Sequence, residues 1–104
     1  MKVSGTVTFT KSKVNEQLTV LLEGRLDTTT APLLEEELRN DLDSVTRLVL
    51  DMEKLEYLSS AGLRVVLAAQ KRMNRQGQLV LKHVPESILE IFEATGFLDI
   101  LTME

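Results

Sequence analysis

The stretch YLSSAGLRVVLAA, residues 57–69, sets two hydroxyls and the small pair Ala61 and Gly62 between an apolar segment and a run with helical spacing. Serine suits the start of a helix, where its oxygen accepts a backbone N–H that the helix leaves unpaired. The same place offers open N–H groups and the positive end of the helix dipole, a seat for a phosphate. Either Ser59 and Ser60 cap the helix, or one of them stands there to be modified.

Working outward, the helix is expected from Ser60 to Asn74. Leu63, Val66, Leu67, Ala69 and Met73 form its apolar face, while Arg64, Lys71 and Arg75 share the outer one. Before it, TRLVLDM (46–52) reads as a short, continuous apolar strand of the kind covered on both faces. After it, GQLVLKHV (77–84) reads as another buried strand, beginning at Gly77. A strand, a helix and a strand in succession imply a parallel pair joined by a crossover.

The flanks extend the pattern. TVTFTKSK (6–13) alternates Val7 and Phe9 with threonines, an edge-type strand. EQLTVLLEGRLD (16–27) has Leu18, Val20 and Leu22 on one face and Leu21 on the other, a strand expected to end at Gly24. In TTTAPLLEEELRNDL (28–42), Thr29 or Thr30 can cap and Pro32 suits a first turn. Ala31, Leu34, Leu38 and Leu42 make one helical stripe, and three glutamates are expected near the helix start, where the dipole favours them. PESILEIFEATG (85–96) is a third helix with Ile88, Ile91 and Phe92 on one side and a stop at Gly96. FLDIL (97–101) is expected to be a final strand. The order β-β-α-β-α-β-α-β predicts an α/β fold, a mostly parallel mixed sheet of about five strands packed with three helices, in one domain spanning residues 1–104.

Composition narrows the function. At 104 residues, 43% hydrophobic and 27% charged, the chain reads as a soluble globular protein. It has no cysteine, which excludes disulfides, zinc–thiolate sites and thiol catalysis, and fits a cytoplasmic location. Sixteen acidic against twelve basic residues give a net charge of −4, which argues against a nucleic-acid partner. The first residues, MKVSGTVTFTKSK, lack a signal-peptide core, and no window has the roughly 20 apolar residues of a membrane span.

Nor does a catalytic set emerge. The only histidine, His83, ends a strand, and SSAG is not the G-x-S-x-G elbow of a hydrolase. GRLD has a single glycine, so no dinucleotide or phosphate-loop fingerprint is present. Asp27, Asp51, Glu53 and Glu56 lie around strand ends. Paired carboxylates can bind Mg²⁺, but such residues are more often solvated or capping, and these are read as such. No enzyme, cofactor or metal is expected.

Four segments, EGRLD (23–27), LVLDM (48–52), YLSSAGL (57–63) and EATGFLDIL (93–101), occur in the order and spacing that resemble STAS-domain proteins, the anti-sigma factor antagonists. The resemblance covers about Val7 to Leu101. It implies a sheet packed against helices and a serine at the start of the second helix that an anti-sigma factor serine kinase phosphorylates. Aligned on Gly62 and Leu63, that serine is Ser60, followed by Ala61, and Ser59 stands where the family carries an acidic residue. Asp27 matches the family's aspartate after the second strand, near the phosphorylation loop. The implied mechanism is a partner switch: the unmodified domain binds the kinase and releases a sigma factor, phosphorylation of Ser60 ends the binding, and a serine phosphatase restores it. Other family members are unphosphorylated docking modules in lipid-transport complexes or attached to anion transporters. Within the switch, Gly62 is expected to let a partner approach the loop backbone, with a steric fit inside the first turn as the other reading. Arg64, Lys71 and Arg75 read first as a solvated helix face, with a basic stripe extending the interface as the alternative.

Overall fold

The computed structural model describes residues 7–104. The expected start of the first strand at Thr6, and the residues before it, lie outside that range. The chain forms β1 (Val7–Val14), β2 (Gln17–Leu26), α1 (Ala31–Asp41), β3 (Arg47–Leu58), α2 (Ser60–Met73), β4 (Gln78–Lys82) and α3 (Glu86–Thr95). The strands lie in the order β1-β2-β3-β4. β1 and β2 are an antiparallel hairpin, turned at Asn15 with a φ of 56°, and β2, β3 and β4 run parallel. An α/β domain with a mixed, mostly parallel sheet and three helices is thus what the chain forms.

Strand alternation decides which face the helices cover. Leu18, Val20, Leu22 and Leu26 of β2, Leu48, Leu50 and Met52 of β3, and Leu79 and Leu81 of β4 share one buried cluster with all three helices. Ala31, Leu34, Leu38 and Leu42 supply the α1 side of it, as their spacing predicts. From α2 come Leu63, Val66, Ala69 and Met73, and from α3 Ile88 and Phe92. Each fully buried Leu, Val, Ile, Phe or Met of this cluster contributes about 1.5–3 kcal/mol. On the opposite face Val49 and Val80 are also buried, which explains why β3 and β4 read as unbroken apolar runs.

Several boundaries differ from expectation. β2 passes through Gly24 to Leu26, because Gly24 (φ 107°) takes up a register irregularity against β3 and leaves the strand intact. β3 runs six residues beyond Met52, since Leu55 and Leu58 stay buried while Glu53, Lys54 and Glu56 face solvent. No acidic residue lies in the first turn of α1; the three glutamates begin one turn later, at Glu35.

The final strand is the main correction. Among the described residues the sheet has four strands, and residues 97–101 form turns and bends. Gly96 (φ 81°) ends α3 in the left-handed conformation, and the Phe97 N–H bonds back to the Phe92 carbonyl at 3.0 Å. Strand pairing resumes only at Met103, a single parallel bridge to Leu81. There Leu81 donates to the Thr102 carbonyl at 2.8 Å, and Glu104 donates to the Leu81 carbonyl at 3.0 Å.

The turn from α2 into β4 is set by a close backbone approach. Gly77 donates to the Met73 carbonyl at 2.7 Å and Gln78 to the Thr46 carbonyl at 2.9 Å, so β4 starts at Gln78. A Cβ on Gly77 would stand 1.8 Å from the Thr46 carbonyl oxygen. Gly77→Ala is therefore expected to cost at least about 1–3 kcal/mol. At about 4–8 °C per kcal/mol for a domain of this size, the midpoint of thermal unfolding drops visibly. An unchanged midpoint would contradict this packing.

Candidate functional site

The candidate site is where two parallel strands end and two helices begin. Leu26 and Leu58 are register partners at the ends of β2 and β3. The Ser59 N–H donates to the Leu26 carbonyl at 2.9 Å, so the chain leaves β3 while still tied to β2. Ser59 has extended geometry, and its hydroxyl accepts from the Gly62 N–H at 3.3 Å. Its carbonyl accepts from the Leu63 N–H at 2.8 Å. Those are the two bonds of an N-cap.

Ser60 is the first helical residue and is exposed. Among the described residues, its hydroxyl has no hydrogen-bond partner. The adjacent serines thus differ: one hydroxyl is engaged in the fold and the other faces water. Ala61 is half-buried against the core, and Arg64 is exposed one turn further on.

Gly62 has a packing role in the fold. It is buried, and a Cβ there would lie 2.7 Å from both the Leu26 carbonyl oxygen and the Leu58 Cδ1. Its missing side chain allows α2 to lie against the end of β2. The glycine is therefore required by packing.

Asp27 builds the neighbouring turn. Its Oδ1 accepts from the Thr29 N–H (3.0 Å), the Thr30 N–H (3.1 Å) and the Thr29 hydroxyl (2.9 Å). Thr30 occupies the N-cap position of α1 without a side-chain cap bond; its hydroxyl instead donates to the Arg25 carbonyl at 2.6 Å. The Thr29 hydroxyl, then the backbone N–H groups of Thr30 and Thr29, hold the Asp27 carboxyl below its ordinary value, against partial desolvation that raises it.

The sequence reading missed the pair beside this turn. The Arg25 guanidinium lies 4.3 Å from the centroid of the Tyr57 ring, with its Nε 4.0 Å from Asp27. Arg25 and Tyr57 are register partners, and only the offset of β2 against β3 reveals that. Tyr57 and, on the first turn of α1, Leu33 are large apolar side chains left exposed here.

The other acids and the histidine lie apart from Ser60. His83 Nδ1 is 3.1 Å from Asp51 Oδ1 and 4.0 Å from Glu53 Oε1, so the imidazole is engaged at the end of β4 and forms no pair with a serine. Among the described residues, these three are the one His, Asp or Glu group whose donor atoms converge, within 4.8 Å. Asp27 and Glu56 do not join them. Lys71 is exposed on α2, as expected, and Arg75 is exposed in the turn that follows the helix. No helix among the described residues is long and apolar enough to cross a membrane.

The site thus sits in a small α/β domain, with a capping Ser59 and an exposed Ser60 at the start of α2. The STAS domain family model matches residues 8–104, and the chain belongs to that family. BtrV of Bordetella bronchiseptica, whose name places it among anti-sigma factor antagonists, is 42% identical over 94 residues, covering 88% of this chain and 81% of BtrV. The anti-sigma-B factor antagonist of Bacillus subtilis is 31% identical over 91 residues, covering 86% of this chain and 84% of its own. The fold is also that of the anti-sigma factor antagonist SpoIIAA. Its unphosphorylated form superposes with a TM-score of 0.81 at 18% identity, over 93% of this chain and 88% of SpoIIAA. Its phosphorylated form gives 0.75 at 18%, over 93% and 91%.

Two outcomes follow from this geometry. Gly62→Ala is expected to lower stability by about 1–3 kcal/mol, read as a lower thermal midpoint. A midpoint equal to the unsubstituted chain's would contradict the close packing on Leu26. Asp27 titrates below its unfolded value, so its contribution is present above about pH 4 and lost as pH falls through the folded value. Urea midpoints measured against pH should therefore fall more steeply below about pH 4 in the unsubstituted chain than in Asp27→Asn. Parallel curves would contradict it.

Proposed function

We propose that this chain is a non-enzymatic anti-sigma factor antagonist that works in the cytoplasm by partner switching. Unmodified, it presents Ser60, the start of α2 and the Asp27 turn to an anti-sigma factor serine kinase, which then releases its sigma factor. The kinase transfers a phosphoryl group from ATP: the Ser60 Oγ bonds to the γ-phosphorus, ADP leaves, and the hydroxyl proton passes to a base of the kinase. The phosphoprotein no longer binds, and a serine phosphatase reverses the step.

The observation that carries this reading is the contrast between the two serines. Ser59 spends its oxygen on the Gly62 N–H, while Ser60 stands at the first helical position, exposed and without a partner. The names of the relatives point to the same class of function.

Magnitudes place the effect of the phosphate at the interface. It adds about −1.5 to −2 charges at neutral pH. Within the domain, the helix N-terminus offsets this by about 0.3–1 kcal/mol, so the fold tolerates it. Against a partner carboxylate about 5 Å away at an effective dielectric of about 20, each unit of charge costs about 3 kcal/mol. That is a hundredfold or more in affinity, roughly.

A kinase assay with phosphosite mapping tests the assignment. Ser60→Ala should take no label and stay bound to the kinase. Ser59→Ala should lose about 1 kcal/mol of stability and still be labelled. Stoichiometric labelling of Ser60→Ala would overturn the reading.

A further inference from the structure

Arg64 is the cation that stands one helical turn after Ser60, and both side chains are exposed. Residues four apart on a helix are neighbours, with Cβ atoms about 5–6 Å from each other, and an anion N-terminal to a cation is the favourable order. Arg25, Arg39, Arg47 and Arg72 are each paired with a carboxylate, through Asp27, Glu36, Glu104 and Asp43. Arg64 has no such partner among the described residues. Its own helix offers none, because α2 contains no aspartate or glutamate. Arg75 also has no carboxylate partner among the described residues, but of the two only Arg64 stands one turn from Ser60.

We propose that Arg64 captures the phosphate carried by Ser60, as an intrahelical phosphoserine–arginine pair. This rests on Ser60 being the phosphorylated residue. The planar guanidinium can donate two parallel N–H bonds to phosphate oxygens, a fit that a lysine ammonium does not reproduce. Lys71 and Arg75 do not compete. Lys71 lies eleven residues past Ser60, about 16 Å along the helix axis. Arg25 is engaged with Tyr57 and Asp27.

Capture makes the modification act twice on the same face. The unmodified chain offers Arg64 as a free cation beside Ser60. The modified chain holds that cation against the phosphate, so the surface gains negative charge and loses its nearest positive group in one step.

The experiment uses the full chain with phosphoserine installed at position 60 during translation, so that no kinase is needed. Phosphorus NMR follows the second ionisation of the phosphate. It should occur at a lower pH in the chain with Arg64 than in Arg64→Gln, by about half a pH unit. Arg64→Lys should fall between them, and the Arg64 Nε–H resonance should shift when position 60 is phosphorylated. Coincident titration curves for the unsubstituted chain and Arg64→Gln would overturn the pairing. That result would leave the Ser60 reading standing, because labelling of Ser60 by a kinase is measured separately.

Discussion

The hydrogen bond from the Ser59 N–H to the Leu26 carbonyl, 2.9 Å long, is the constraint on which the site depends. It ties the last residue of β2 to the first step out of β3, so α2 must begin against the sheet. The helix can lie that close only because residue 62 has no Cβ to meet the same carbonyl oxygen. Once the axis is fixed there, Leu63, Val66, Ala69 and Met73 fall onto the apolar side of β3 and β4. The opposite side of the first turn, with Ser60 and Arg64, is left to solvent. One backbone contact thus decides which serine is structural and which is available.

Periodicity made much of this legible. The α1 stripe of Ala31, Leu34, Leu38 and Leu42 reads directly from spacing, and so does the alternation of Leu18, Val20 and Leu22. What the sequence hid has identifiable causes. β3 continues past its apolar run because Leu55 and Leu58 carry the burial among charged neighbours, a pattern weaker than the strand it belongs to. FLDIL has strand composition, yet the left-handed stop at Gly96 spends the next residues on turns that bring Leu101 into the core.

The site was legible in part. Ser59 as cap and Ser60 as the exposed hydroxyl follow from helix-start chemistry together with the family pattern. The close packing of Gly62 on Leu26 could not be located from sequence, because a steric contact with a carbonyl more than thirty residues away leaves no local mark. The Arg25–Tyr57 contact is equally invisible without the register between β2 and β3. Long-range packing, not local propensity, supplied these missing pieces.

The account separates a fixed junction from a modifiable surface. The capping bonds of Ser59 and the close approach at Gly62 hold the start of α2, while Ser60, the proposed site of modification, is exposed on its outer side. Amide hydrogen exchange across residues 59–63, compared between the unmodified chain and the chain carrying phosphoserine at position 60, tests this most directly. The account predicts equal protection of the Gly62 and Leu63 amides in the two forms. Exchange about tenfold or more faster in the phosphorylated form would show that the phosphate acts by opening the helix start, and would contradict it.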